Sequence, residues 1–244
     1  MLTYPARDAV HAITRCTLRA SSAYWTYARK AAEAIDVEWR EAQRANPKFF
    51  NGVVYLVDGL SLTKDALDAT LLKSDFKSYL HWRRHGFPWA GVRDGFGSAL
   101  IRASDGAFLL GRQRAGNVNS GLAYLPGGFI DQRDVSHDGG IDIAASIARE
   151  LKEETGLTAE DVESLPGFLV TETGAQLSIA KTFQSPLEAE ALKARIERHL
   201  VADTHSELDR VVIVREACEL ADLPMPNYAR VLLDRLLAWP RASA

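Results

Sequence analysis

Nine consecutive residues in the second half of the chain carry the side chains with the clearest chemical potential. They read Arg-Glu-Leu-Lys-Glu-Glu-Thr-Gly-Leu and run from Arg149 to Leu157. On an α-helix, which turns about 100° per residue, Glu150, Glu153 and Glu154 share a face about 100° wide. Three clustered carboxylates repel one another, and a divalent cation relieves that repulsion. Oxygen donors of this kind favour Mg²⁺, Mn²⁺ or Ca²⁺ over zinc.

The surrounding residues predict the helix that would carry these carboxylates. It runs from Ile143 to Thr155, with Asp142 as its N-cap and Gly156 as the residue that ends it. Arg149 lies next to Glu153 on this helix and can hold one carboxylate in place. The apolar residues form a stripe that borders the acidic face: Ile143, Ala144, Ile147, Ala148 and Leu151. The pattern therefore predicts a metal-binding face at the edge of a buried helix.

A glycine turn lies upstream of this helix, and the two segments together resemble a known family motif. The turn reads Leu-Pro-Gly-Gly-Phe at residues 125–129, and a polar loop follows it up to Asp142. Together with the segment from Arg149 to Leu157, it resembles the Nudix box, Gly-x5-Glu-x7-Arg-Glu-apolar-x-Glu-Glu-x-Gly-apolar. The second half of the box matches at every fixed position.

The first half of the motif departs from the family pattern. Arg149 lies 21 residues after Gly128, seven more than the pattern allows, so the loop is lengthened. Ile141 occupies the position of the first glutamate of the box, and that carboxylate is missing here. The aspartates of the loop could replace it electrostatically; they are Asp131, Asp134 and Asp138.

The resemblance implies a Nudix hydrolase with an α+β fold, an α/β/α sandwich that follows an N-terminal extension of strands and helices. It implies hydrolysis of a nucleoside diphosphate linked to another group, such as an NDP-sugar or ADP-ribose, with Mg²⁺ or Mn²⁺ as cofactor. Glu150, Glu153 and Glu154 correspond to the metal-binding glutamates of the family, and the Gly127 carbonyl is a further oxygen donor. Glu150 could instead be the general base, and Glu207 is a second candidate; its alternative role is a solvated residue at a strand entry.

Four further side chains are candidates for contact with a substrate. Arg112 and Arg114 follow a predicted strand, and a guanidinium group suits phosphate because it can donate two parallel hydrogen bonds. The alternative for both arginines is the exposed end of a hairpin. Tyr124 and Phe129 flank the glycine turn, where an aromatic ring could stack on a substrate or simply pack in the core.

Two histidines on a predicted helix have a spacing that can bind zinc. His81 and His85 are four residues apart, so they lie on the same helical face. Two arginines stand between them, and the glutamate of a His-Glu-x-x-His motif is absent. The sequence therefore favours an ordinary helix surface over a metal site.

The chain divides by pattern into an extension, residues 1–92, and a Nudix domain, residues 93–244. In the extension we expect a helix from Trp25 to about Asn46, strands at 53–57 and 67–72 and a helix at 76–85. In the domain we expect strands at 97–102, 107–113, 122–125, 167–172, 177–183 and 208–215, and helices at 143–155, 187–200 and 228–239. Residues 46–52 and 71–79 weakly resemble a Nudix branch that cleaves UDP-sugars.

Composition and charge restrict the classes of function. The 244 residues are 47% hydrophobic and 25% charged, which is typical of a soluble globular protein. The formal net charge of −3 provides no basic excess for nucleic acid, and no stretch is apolar enough to span a membrane. Two distant cysteines without a CxxC pair indicate reduced thiols, so we expect a cytoplasmic protein.

These observations leave two main hypotheses. The first is a hydrolase with a small nucleotide-derived substrate, and the second is a Nudix-fold sensor that binds a nucleotide metabolite without cleaving it. The intact Arg-Glu-Leu-x-Glu-Glu string favours hydrolysis, because a sensor has no need of the metal ligands. The extension would either add walls beside the active site or build a homodimer interface.

Overall fold

The computed structural model describes residues 2–203 and 206–238, and it shows an α+β fold built on two β-sheets. The strands, in chain order, are β1 (Ala9–Ile13), β2 (Arg15–Ser21), β3 (Val53–Leu62), β4 (Ala66–Asp75), β5 (Asp94–Arg102), β6 (Phe108–Gln113), β7 (Ala123–Tyr124), β8 (Gly140–Ile141), β9 (Glu163–Ser164), β10 (Phe168–Thr173), β11 (Gln176–Gln184) and β12 (Leu208–Val214). The helices are α1 (Thr26–Lys30), α2 (Ala32–Ala45), α3 (Phe76–Arg84), α4 (Ile143–Thr155), α5 (Ala189–Ala202) and α6 (Asn227–Leu237).

The strongly patterned segments form the elements that the sequence predicts, with differences at their ends. The helix expected from Trp25 is divided at Ala31 into α1 and α2. Strands β3 and β4 are longer than expected and pair as an antiparallel hairpin. Strands β1 and β2 were not predicted, because each is short and mixes polar with apolar residues. The expected end of the last helix at Trp239 lies outside the described residues.

The larger sheet forms the centre of the molecule. Its strand order is β1-β10-β11-β5-β6-β12, with β7 on β6 and β9 on β11. Strands β5 and β11 pair in parallel, with Gly97 opposite Ile179. A Cβ atom at Gly97 would lie 2.6 Å from Cγ1 of Ile147 on α4. The glycine therefore lets α4 pack directly on the middle of the sheet.

Helices cover both faces of this sheet. On one face, α4 and α5 bury Ile147, Leu151 and Ile196 against the strands. On the other face, α6 buries its own apolar side, which includes Leu232 and Leu233. The predicted α/β/α sandwich is thus confirmed. Within the described residues, no helix is both long and apolar enough to cross a membrane.

The lengthened loop joins the second sheet, whose strand order is β3-β4-β2-β8. Strand β8 comes from the end of the loop, and Ile141 pairs there with Leu18 of β2. A short 3-10 helix at Gln132–Asp134 orders the middle of the loop. The sequence predicted an open polar loop, because the pairing partner of β8 lies more than 100 residues away and was itself not predicted.

The extension shares its core with the rest of the chain. Strand β1 joins the larger sheet, where Val10 pairs with Thr171 of β10. One hydrophobic cluster contains Leu67 of the extension together with Ile179 of the larger sheet. A division into residues 1–92 and 93–244 remains a prediction. The two parts are in contact through the shared sheet and the shared hydrophobic cluster.

Both ends of α4 are capped by the residues that the sequence predicts. The Oδ1 atom of Asp142 accepts a hydrogen bond from the Ala145 backbone N–H at 3.0 Å. At the other end, Gly156 has a φ of 70°, a left-handed conformation that favours glycine. These local signals fix the start and the end of the helix that carries the acidic residues.

We expect Asp142→Ala to lower the free energy of unfolding by about 1 kcal/mol, because the Ala145 N–H loses its acceptor. For a chain of this size the Tm should fall by about 2–4 °C. Asp142→Asn is the matched control, since asparagine caps a helix about as well and should keep the original Tm. Thermal unfolding followed by circular dichroism measures all three proteins. Equal Tm values would contradict the capping role.

Candidate active site

A buried glutamate ties α4 to the glycine turn. The side chain of Glu154 accepts hydrogen bonds from the Gly127 backbone N–H, at 2.8 Å, and from the Tyr124 hydroxyl. Burial raises the pKa of Glu154 well above its usual value, although the hydrogen bond from Tyr124 acts in the opposite direction. The charge of Glu207 raises this pKa further. Without a nearby cation, burial therefore favours the protonated acid.

A second glutamate lies directly beneath the same turn. A Cβ atom at Gly128 would be 2.7 Å from the Glu150 carboxylate. Any residue other than glycine at this position would therefore displace the carboxylate. Burial raises the pKa of Glu150 to about 7, Arg149 lowers it and Glu153 raises it. The Arg149 guanidinium donates a hydrogen bond to Glu150 at 2.5 Å. Glu150 and Glu154 thus form one acidic surface against the glycine turn.

The third glutamate of the helix is half exposed and lies between two arginines. The carboxylate of Glu153 is 3.6 Å from Arg149 and 3.6 Å from Arg133. The expected proximity of Arg149 to Glu153 is confirmed. Arg133, which belongs to no recognised motif of the sequence, also lies 3.9 Å from Glu150 and forms an ion pair with Asp131.

The lengthened loop supplies the carboxylate that orients Arg149. Asp134 accepts a hydrogen bond from the Arg149 guanidinium at 2.8 Å, and the Asp134 side chain is almost fully buried. Of the three loop aspartates, Asp134 is therefore bound to the arginine of the acidic helix. Asp131 instead accepts a hydrogen bond from the Arg133 guanidinium, and Asp138 accepts one from the Ser136 hydroxyl within the loop.

A fourth carboxylate faces the same region from the residue before strand β12. Glu207 precedes β12, and the Gln113 side-chain amide lies 3.3 Å from its carboxylate as a hydrogen-bond donor. Burial raises the pKa of Glu207, Gln113 lowers it and the charge of Glu153 raises it. Glu207 is nevertheless exposed overall, as the alternative of a solvated strand entry requires, while it also lines the cavity described next.

Several of these groups line one cavity with a volume of about 680 Å³, but Glu153 and Arg149 are not among them. Its acidic part includes Glu150, Glu154 and Glu207, while the glycine turn contributes Gly127 and Gly128. The extension and the start of the loop provide an aromatic wall, formed by Phe49, Phe50, Phe76, Tyr79 and Phe129. The rings of Tyr79 and Phe129 meet edge to face at 4.7 Å. The cavity therefore joins an acidic surface to an aromatic one.

The predicted substrate residues divide into two groups. Tyr124 and Phe129 line the cavity, although the Tyr124 hydroxyl is bound to Glu154. Arg112 and Arg114 do not line it. Arg112 donates two hydrogen bonds to Asp209, at 2.7 and 2.8 Å, and Arg114 donates to the Leu208 carbonyl at 3.3 Å.

Two other arginines line the cavity in their place. Arg133 comes from the 3-10 helix of the loop, and Arg83 comes from α3, where it donates to Asn119 at 2.8 Å. Arg83 is distant from the glycine turn in the sequence, and Arg133 lies within the lengthened loop outside the family motif, so neither spacing nor composition identified them. The position of Arg133 between two loop aspartates was a weak local signal for an ordered turn.

The donor atoms at the acidic surface suit a hard divalent cation. The three helix glutamates offer carboxylate oxygens, and backbone carbonyls such as those of the turn are oxygen donors of the same hard type. Burial raises the pKa of both Glu150 and Glu154, so their negative charge is incompletely compensated by the protein alone. A cation would supply the missing compensation.

A family model of the NUDIX domain matches residues 92–230, which is more than half of the chain. The chain therefore belongs to the Nudix hydrolase family. The predicted family, the enzyme class and the α+β fold are confirmed. Members of this family act on small nucleotide-derived substrates and generally use divalent metals.

Similarity to solved structures is distant. The Nudix hydrolase RenU from M. smegmatis has 19% identity and a TM-score of 0.38, over 59% of this chain and 83% of that chain. The MutT protein from Methanosarcina mazei Go1 has 26% identity and a TM-score of 0.37, over 59% and 91%. A bifunctional NMN adenylyltransferase/ADP ribose pyrophosphatase from Francisella tularensis has 18% identity and a TM-score of 0.40, over 64% and 44%. No curated protein matches the chain.

The two glycines of the turn should respond differently to alanine. In Gly128→Ala the new Cβ meets the movable end of Glu150, so we expect a normal fold and a fall in hydrolysis of about tenfold or more. In Gly127→Ala the new Cβ lies 2.2 Å from the Gly97 carbonyl oxygen, so we expect a lower Tm. Initial rates on the fastest nucleotide substrate, together with Tm, separate the two effects. Full activity in Gly128→Ala would contradict the assigned position of Glu150.

The pKa of Glu150 predicts how the metal-free protein responds to pH. Because the pKa of Glu150 in the folded protein, about 7, exceeds its ordinary value of 4.5, the contribution of Glu150 to stability is complete below pH 4.5 and is lost as pH rises through 7. Glutamine does not titrate, so Glu150→Gln should raise Tm in EDTA at pH 8 but not at pH 4.5. The surface substitution Glu160→Gln is the control. A Tm difference independent of pH would refute the assignment.

Proposed function

We propose that the protein is a divalent-cation-dependent pyrophosphohydrolase that cleaves the diphosphate of a nucleoside diphosphate joined to a sugar or a similar group. The observation that carries this proposal is the single cavity that joins the acidic face of α4 to the aromatic wall of the extension. Water would attack one phosphorus and release a nucleoside monophosphate and a phosphorylated group. Two free cysteines, Cys16 and Cys218, are consistent with a cytoplasmic setting.

We assign the cation, Mg²⁺ or alternatively Mn²⁺, to Glu150, Glu153 and Glu154, with the Gly127 carbonyl as a further donor. A divalent cation at such a site neutralises phosphate oxygens and makes water a better nucleophile. Arg149 has a positioning role, because it binds Glu150 and is itself held by Asp134.

The proton of the attacking water needs a base near the acidic face. Glu150 and Glu207 both line the cavity, and burial raises the pKa of each towards the range in which a base works at neutral pH. Arg133 is the candidate phosphate ligand, because 59% of its side chain is exposed and it lines the cavity. A guanidinium group can bind two phosphate oxygens at once.

The aromatic wall supports a substrate that continues beyond its diphosphate. A cavity of about 680 Å³ lies in the usual size range for small-molecule sites. The rings of Phe76 and Phe129 meet at 6.0 Å and present apolar surface on which a base or sugar can pack. Binding energy from this remote part can orient the reacting phosphate. A nucleoside triphosphate ends in a phosphate, so it lacks the second group that a sugar-linked nucleoside diphosphate carries on the far side of its diphosphate.

To test the substrate class, kcat/KM should be compared for UDP-glucose, ADP-ribose, dinucleoside polyphosphates and the common triphosphates at one Mg²⁺ concentration. We expect a nucleoside diphosphate joined to a sugar to be preferred. A triphosphate that is preferred by tenfold or more would overturn the proposal and would point to the extension as a dimer interface. Tight nucleotide binding without turnover would favour the sensor instead.

An exposed phenylalanine of the wall allows a matched control. Phe50 is 77% exposed and lines the cavity, so Phe50→Ala should leave the fold intact and raise KM for the sugar-linked substrate by several fold. Tyr24 is 79% exposed and does not line the cavity, so Tyr24→Ala should leave KM unchanged. Equal KM values for the three proteins would show that the wall does not contact the substrate.

A further inference from the structure

Three side chains with metal-binding atoms meet where α2 contacts α3, in a cluster distinct from the acidic face of α4. Glu38 lies on α2, while His81 and His85 lie four residues apart on one face of α3. His85 belongs to the C-terminal cap of α3. One ligand atom from each of the three residues lies within 4.8 Å of the other two. The glutamate that the local sequence around the histidines lacks is thus supplied by another helix.

The atoms at the centre of this cluster are close but poorly satisfied. Nδ1 of His81 is 2.9 Å from Oε2 of Glu38, close enough for an ion pair, although the two groups do not have the alignment of a good hydrogen bond. His81 is 6% exposed, so water does not readily replace the missing bond. The second carboxylate oxygen, Oε1, lies 2.9 Å from Nε2 of His85. Buried polar atoms without well-aligned partners are uncommon in folded proteins, and here the three ligand atoms lie within 4.8 Å of one another.

We propose that Glu38, His81 and His85 bind a zinc ion. Two imidazole nitrogens and one carboxylate oxygen form a set that zinc prefers and that magnesium does not. Tetrahedral bonds of about 2.0–2.1 Å place such donors about 3.3 Å apart. The two nitrogen–oxygen separations of 2.9 Å differ from this value by a few tenths of an ångström, and the three ligand atoms lie within 4.8 Å of one another. The side chain of His85 is 52% exposed, which leaves room for this adjustment and for a water molecule as the fourth ligand.

An arginine that stands between the histidines does not oppose the ion. The guanidinium of Arg83 donates to the Tyr79 hydroxyl and to Asn119, and Arg83 lines the nucleotide cavity. It is therefore directed away from the histidine pair. The positive charge of Arg83, which in the sequence argues against a metal site, is therefore not directed at the proposed ion.

The position of the site gives it a structural role. Helix α3 carries Phe76, Tyr79 and Arg83, which line the cavity, whereas none of the residues that line it belongs to α2. An ion pair between Lys77 and Asp36 already joins these two helices at 2.5 Å. A zinc ion at the second contact would fix α3 on α2 and so stabilise the wall of the cavity. Because zinc binds the folded state, it should also raise Tm.

The experiment is a titration of the full-length, chelator-stripped protein with ZnCl₂ in excess MgCl₂, using a chromophoric chelator as competitor. We expect one zinc equivalent per chain. Glu38→Gln and His85→Ala should each weaken zinc binding by about 100-fold or more. His137→Ala removes an exposed loop histidine outside the cluster and should bind zinc like the unaltered protein. The double variant Glu150→Gln/Glu153→Gln should also keep the site, because it alters only the acidic face of α4.

The outcome is decisive in either direction. Zinc binding of equal affinity in Glu38→Gln, His85→Ala and the unaltered protein would overturn the proposal, as would the absence of a bound equivalent in the unaltered protein. Circular dichroism in EDTA establishes that each variant is folded. A zinc-dependent rise in Tm that is present in His137→Ala and absent in His85→Ala would support the assignment independently of affinity.

Discussion

Two glutamates of one helix lie against a glycine turn, Glu154 buried and Glu150 largely buried, and the surrounding structure has to compensate their negative charge. A buried carboxylate is costly unless donors or cations compensate it. Tyr124 and the Gly127 N–H reach Glu154, and Arg149 reaches Glu150, but burial still raises the pKa of both acids. The position of a divalent cation in our proposal follows from this incomplete compensation.

The lengthened loop and the N-terminal extension act on the same site from two sides. Asp134 of the loop holds Arg149, and Arg133 brings a second guanidinium to the acidic face. The loop ends in β8, which pairs with β2 of the extension. A departure from the family motif thus coincides with an added sheet that supports the cavity wall. We infer that loop and extension together determine what the site accepts beyond the diphosphate.

Local sequence signals predicted the acidic helix well, because its caps, its apolar stripe and its three carboxylates all lie within fifteen residues. Contacts between distant segments were not predictable in this way. Strands β1 and β2 acquire their conformation from partners in β10 and β4, and Arg112 is bound by Asp209 across a strand pair. The histidine pair on α3 finds its carboxylate on α2, a residue that no motif connects to it.

The central claim is that the acidic face of α4 binds a divalent cation. The most direct measurement is a titration with Mn²⁺, in which electron paramagnetic resonance reports the free ion. Our account predicts that the unaltered protein and Glu38→Gln remove the free signal equally, whereas Glu153→Gln and Glu154→Gln bind Mn²⁺ much more weakly. Equal Mn²⁺ affinity in all four proteins would contradict it.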